Sequence, residues 1–152
     1  LLAQAGIKYL CDWANDDMPY PFQTASGTIH NMPHTMELDD QQILIALRHT
    51  EREYVAQLKD QFDCLHAEAG ERGGRIMAIS LNPWVTGQAY RIKALEEALS
   101  FITSHDGVWS ATAGEILDAV ADSAGAIAMV FFLAYLWPRS VRLTRRLVAR
   151  LD

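Results

Sequence analysis

Cysteine is scarce in this chain: Cys11 and Cys64 are the only two among 152 residues. A lone pair so far apart builds neither a disulfide framework nor a metal-binding motif, and a reducing, cytoplasmic compartment is the simpler expectation. Positive charge is also in short supply, with 13 Lys and Arg against 19 Asp and Glu and a formal net charge of −6. That balance disfavours a nucleic-acid partner, because binding phosphates draws on clustered cations. No apolar run reaches the roughly twenty residues of a membrane span. Ala124 to Trp137 comes nearest, with fourteen, and Asp118 and Asp122 precede it. Internal repeats and low-complexity segments are missing too, and no signal peptide can be read at Leu1.

What is present is a sizeable apolar complement, half of all residues, enough for the core of one domain. Its periodicity alternates as in βα units. Ile7 to Cys11, bounded by Gly6 and Asp12, reads as a short buried strand. The segment from Trp13 to Leu38 carries Pro19, Pro21, Gly27 and Pro33 among small polar residues and is expected to be a long ordered loop. From Asp39 or Asp40, either able to cap a helix, Ile43, Leu47, Tyr54, Leu58, Phe62 and Leu65 recur at helical spacing. Gly70, Gly73 and Gly74 should end that helix, and Arg75 to Leu81 supplies a second strand, broken at Pro83. A further helix follows from about Gly87, with Ile92, Leu95, Leu99 and Ile102 on one face, closed by His105-Asp106-Gly107. Val108 to Ser110 suits a third strand, and Thr112 with Glu115 has the spacing of a capping box.

Two of these strands end in polar side chains: Asp12, Asp16 and Asp17 after the first, Asn82-Pro83 after the second. Parallel α/β barrels gather their chemistry at the carboxyl ends of strands, so both stretches are candidates for one rim. The stretch Ser80 to Ile92, then His105 to Trp109 and Glu115-Ile116, resembles the closing segment of the polysaccharide deacetylases with NodB-type homology. Asp16-Asp17-Met18-Pro19-Tyr20 is similar to an Asp-Asp-x-Pro-Tyr element of the allantoinase-like branch, and Met32-Pro33 to Asp39 to the loop after it.

The resemblance spans Gly6 to Ile116. It implies the carboxyl-terminal part of a deformed (β/α) barrel at residues 1–118, and hydrolysis of a non-peptide carbon–nitrogen bond in an N-acetyl sugar or a cyclic ureide. Leu1 to Gly6 reads as a helix end and turn feeding a strand, so the chain is expected to be the back half of a longer enzyme, inactive alone. The resemblance further implies that the divalent metal many members hold, and their base, belong to a part of the fold preceding Leu1. No cofactor is expected from this chain.

Within this frame Asp16 and Asp17 are the expected catalytic carboxylates, and Tyr20, Asn82 and Trp84 the expected substrate contacts. Where the resemblance leads one to expect a His, position 82 is Asn, which bonds but cannot exchange a proton near neutral pH. Its expected role is to position substrate or face an oxyanion. An Asn-Asp-Asp stretch beside a proline is equally the chemistry of a plain turn. His30 and His34 invite a metal reading, but Pro33 between them and the lack of a third ligand oppose it.

The remaining stretch, 119–152, is expected to be an apolar and then basic helical tail, with Arg139, Arg142, Arg145, Arg146 and Arg150 after Pro138. Such a tail could dock on the barrel or on a second copy, or lie on an anionic membrane surface. A non-catalytic, partner-associating module is therefore the alternative to the hydrolase.

Overall fold

The apolar run Ile76–Leu81 forms a strand in which every residue is buried, and the other elements are arranged about it. A computed structural model describes residues 1–122 and 130–135, with side-chain surroundings through residue 120. In chain order the strands are β1 (Tyr9–Leu10), β2 (Tyr20–Thr24), β3 (Gly27–Asn31), β4 (Ile76–Leu81), β5 (Trp109–Ala111) and β6 (Val130–Tyr135). The helices are α1 (Glu51–Arg72), α2 (Ile92–Thr103) and α3 (Ala113–Asp122). The expected mixture of helices and mostly parallel strands is present.

Side chains alternate across a strand, so β4 serves two cores. Met77, Ile79 and Leu81 join Tyr54, Leu58, Phe62 and Leu65 of α1 and Leu95, Ala98 and Ile102 of α2. Ile76, of opposite parity, packs with Met32, Ala113 and Ile116. Two ion pairs along the helix seam, Lys59–Glu97 at 2.6 Å and Arg91–Glu51 at 3.0 Å, hold α1 against α2.

The single long helix expected from Asp39 is two pieces. A five-residue π-helical segment, Gln42–Ala46, stops at Arg48, whose φ is 57°, and α1 starts afresh after Thr50. The reason lies in Thr50 and Glu53: the Thr50 hydroxyl accepts from Glu53 N at 3.3 Å, and the Glu53 carboxylate accepts from Thr50 N at 2.7 Å. Such a reciprocal cap stabilises a helix start by about 1 kcal/mol, and it outcompetes continuous winding here. Leu47, expected in the core, is consequently 53% exposed.

The expected loop from Trp13 to Leu38 holds a hairpin. β2 and β3 are antiparallel, Thr24 opposite Gly27, with Ala25-Ser26 between them. The Thr24 hydroxyl donates to the Gly27 carbonyl at 2.6 Å and accepts from Ser26 N at 3.2 Å, closing the turn. Pro21 is tolerated because β2 lies at the edge of the β1-β3-β2 sheet, where no ladder needs its N–H. β1 is shorter than the expected Ile7 to Cys11 strand. It pairs only with β3, and Ile7 and Tyr9 stay 38% and 36% exposed.

The second sheet has the order β4-β6-β5, all parallel. At the head of α3 the Thr112–Glu115 capping box forms as expected, Thr112 N donating to the carboxylate at 2.7 Å and Glu115 N to the Thr112 hydroxyl at 3.3 Å. The helical tail expected for 119–152 is corrected within its apolar run. Val130–Tyr135 is a strand, as suits its β-branched and aromatic residues, and its ladder needs are met by β4 on one side and β5 on the other. Residues 119–122 are helical as expected, forming the end of α3, and 123–129 and 136–152, with the arginines, lie outside the described residues. Among the described residues no helix is long and apolar enough to cross a membrane.

Two glycines separate structural need from permissiveness. A methyl group on Gly87 would collide with the Pro83 carbonyl oxygen, whereas one on Gly70, within α1, meets nothing within 4 Å. Urea unfolding should show Gly87→Ala destabilised by about 2 kcal/mol or more from overpacking. Gly70→Ala should gain about 0.5–1 kcal/mol from reduced chain entropy.

Candidate functional site

Past the end of β4 the chain turns at once. Pro83 brings no N–H to extend a ladder, and the Asn82 carbonyl accepts from Val85 N at 2.8 Å and Thr86 N at 3.2 Å. Into this turn projects Asp40, fully buried. Asn82 N lies 2.9 Å from both Asp40 oxygens, Asn82 Nδ2 donates to Oδ1 at 2.7 Å, and the Thr86 hydroxyl donates to Oδ2 at 2.7 Å. Asp39, its neighbour, does the capping: its Oδ1 accepts from Gln42 N at 2.9 Å. Asp40 is thereby free to face inward.

Sequence reasoning treated Asp39 and Asp40 as interchangeable caps and missed Asp40 and Thr86. The available signal was the doublet itself, since one helix start needs one cap. Tyr54 is buried nearby, and its hydroxyl, like that of Ser80, has no hydrogen-bond partner among the described residues. Burial first, then the charges of Asp40 and Asp39, push the Tyr54 phenol far above its ordinary range, so it stays neutral.

The expected catalytic pair lies elsewhere. The Asp17 carbonyl accepts from Ile76 N, the first residue of β4, at 2.9 Å. Asn82 follows the last residue of that strand. At about 3.3 Å per residue the two are about 20 Å apart, so the expected common rim of Asp17 and Asn82 is not formed. Strand polarity is the cause: the loop after β1 returns to the amino end of β4. Asp16 is exposed and its Oδ1 accepts from Met18 N at 3.1 Å, a turn-forming contact. Tyr20, half-buried on β2, donates its hydroxyl to Asn15 Oδ1 at 3.1 Å, which keeps it with the Asp16–Asp17 loop and away from Asn82.

Trp84 does stand beside Asn82, 55% exposed, with its carbonyl held by Gln88 Nε2 at 3.0 Å. Tyr90, 69% exposed, carries the Arg91 guanidinium 5.0 Å from its ring centre. The carboxyl end of β4 thus brings together Asn82, Trp84, Thr86 and Asp40. Open grooves of about 460 and 510 Å³ are lined by residues such as Glu51, Lys59 and Glu97 in one and Glu37, Gln57 and Asp60 in the other, and neither lining includes Asp40, Asn82, Trp84 or Thr86. A divalent metal does not fit the residues at hand: among the described residues no three His, Cys, Asp or Glu side chains converge, and His30 and His34 gain no third ligand. Burial, and then the charge of Asp12, raise the Cys11 thiol above its ordinary value, away from thiolate chemistry.

No protein-family model matches the chain. A protein of Schizosaccharomyces pombe named "Putative polysaccharide deacetylase" is 30% identical over 118 residues, taking in 71% of this chain and 37% of that protein. Among solved structures, Puue allantoinase superimposes with a TM-score of 0.74 at 25% identity, over 81% of this chain and 41% of the allantoinase. A probable polysaccharide deacetylase from Pseudomonas aeruginosa PAO1 does so with a TM-score of 0.74 at 26% identity, over 81% and 42%. The chain therefore spans about two fifths of the length of each. The expected resemblance to polysaccharide deacetylases and their allantoinase-like branch is met at the level of the whole match, by a deacetylase and by an allantoinase.

Asp17 offers a test of its own role. Burial first, then the Glu68 charge, raise its carboxyl above the ordinary 3.8, against the opposing pull of Arg75. The folded form therefore holds the proton more tightly than the unfolded one, and stability falls as pH rises from 3.8 through the raised value. Asp17→Asn should flatten that fall and leave the chain more stable than the parent at neutral pH, as read from urea midpoints at pH 4 and pH 7.

Proposed function

We propose that this chain is part of a hydrolase of the polysaccharide-deacetylase type, acting on a non-peptide carbon–nitrogen bond in an N-acetylated sugar or a cyclic ureide. The observation that carries the reading is the superposition of four fifths of the chain on both an allantoinase and a probable polysaccharide deacetylase. Both names belong to C–N hydrolases, and in this chain a turn built around Asp40 and Asn82 closes the fully buried strand β4.

In this reading the chain supplies part of the wall of a deformed barrel, and the remaining three fifths of such a fold supply the group that activates water. Asn82 would hold substrate, and Trp84, exposed beside it, would cover an apolar ring face. Asp16 and Asp17, on the far end of β4, are assigned to the fold and not to the chemistry. A divalent ion, where the complete fold holds one, would take its ligands from outside this chain. A sugar or small-molecule ligand is the expected partner, and the rest of such a fold is a condition of activity.

Co-production with the portion of the Pseudomonas aeruginosa protein that the match leaves uncovered tests this. The chain alone should neither release acetate from N-acetylglucosamine oligomers nor open allantoin, and the assembled pair should do one of the two. A stable assembly that turns over neither substrate would defeat the hydrolase and favour the partner-associating module.

A further inference from the structure

Asn82 is held in one sense. Its side-chain nitrogen and its backbone nitrogen both donate to the buried Asp40 carboxylate, and its backbone oxygen is taken by Val85 N and Thr86 N. Rotating the carboxamide by half a turn would set Oδ1 against a carboxylate oxygen at 2.7 Å, acceptor against acceptor, so the amide cannot flip. Oδ1 is left as the acceptor without a bond among the described residues. No Lys or Arg pairs with Asp40 among them either: the three ion pairs seen there, Lys59–Glu97, Arg75–Glu68 and Arg91–Glu51, all lie elsewhere. A negative charge in a low-dielectric setting, uncompensated by a cation, repels a second one nearby. The turn is therefore poorly built for an oxyanion and well built for a neutral donor.

Resting on the hydrolase reading above, we infer that Asp40 is a positioning residue: it fixes the Asn82 carboxamide with Oδ1 presented to the ligand, so that this end of β4 selects substrates by an N–H that they donate. The acetamido N–H of an N-acetylated sugar and the ring N–H of a cyclic ureide both meet this requirement. It also replaces the oxyanion-facing role expected of Asn82. Thr86, donating to the second carboxylate oxygen, stops Asp40 from swinging, and Gly87 allows the turn that brings Thr86 there.

The test is ligand selectivity in the full chain, read by nuclear magnetic resonance of the Asn82 side-chain and backbone amides. The probes are hydantoin and N-acetylglucosamine, each compared with its N-methylated analogue. The N–H forms should perturb the Asn82 signals, and the methylated forms should bind at least tenfold more weakly. In Asp40→Asn the locking contact can be satisfied in either orientation, and the ratio should fall toward one, a change that lost stability alone would not cause. If that variant does not fold, the comparison in the unaltered chain still decides. Equal binding of methylated and N–H forms overturns the positioning role while leaving the hydrolase reading intact. Failure of every probe to bind overturns the positioning role and leaves the hydrolase reading to the test of the assembled fold, and tighter binding of acetate than of the N–H ligands overturns the donor selectivity.

Discussion

A buried carboxylate with no Lys or Arg beside it among the described residues holds the end of the central strand in place. Asp40 takes donors from the backbone and side chain of Asn82 and from Thr86, two residues of one turn, and so welds the segment after β3 to the segment after β4 across 42 positions of sequence. Leaving such a group unpaired in the interior is costly, which is why its partners come as a set. With the weld in place, Trp84 is displayed beside Asn82, Val85 is tucked into the main core, and Gly87 must stay small.

Around this point the rest of the fold divides the labour. The face of β4 that carries Met77, Ile79 and Leu81 is covered by α1 and α2, whose register is set by Thr50 and Glu53 at one end and by charge pairs along the seam. The other face meets a smaller cluster around Met32 and Ile116. Phe62, Phe101, His66 and His105 extend the first core outward as a cluster of rings met mostly edge to face, His66 Nε2 lying 3.1 Å from the Asp106 carbonyl and His105 Nδ1 lying 2.8 Å from that of Phe101. These contacts explain why His105-Asp106-Gly107 closes α2.

Much of this was legible before any coordinates, where a signal is local. Apolar spacing identified α1, α2 and β4, and Thr112 with Glu115 marked the start of α3, because caps and periodicity act within a few residues. The Thr50–Glu53 pair carries the same kind of signal and would have divided the long helix correctly. The hairpin was hidden by Pro21, a strand breaker except at an edge, and edges are not visible in a sequence. The tail misled for a related reason: a short apolar run gives a buried strand and a buried helix the same appearance until its neighbours are known. Asn82 was legible through the turn chemistry around Pro83, whereas Asp40 could be found only by noticing that a doublet exceeds what one helix start can use. The pairing of Asp17 with Asn82 failed because strand direction, and hence which loop reaches which end, is a property of the assembled sheet.

The joint between the hairpin sheet and β4 has a different character from the weld at Asp40. Asp17 reaches Ile76 through its carbonyl, so the connection is made by peptide groups that every residue type possesses. The place is therefore mechanically fixed by the main chain, and a substitution at position 17 would not by itself unseat the hairpin.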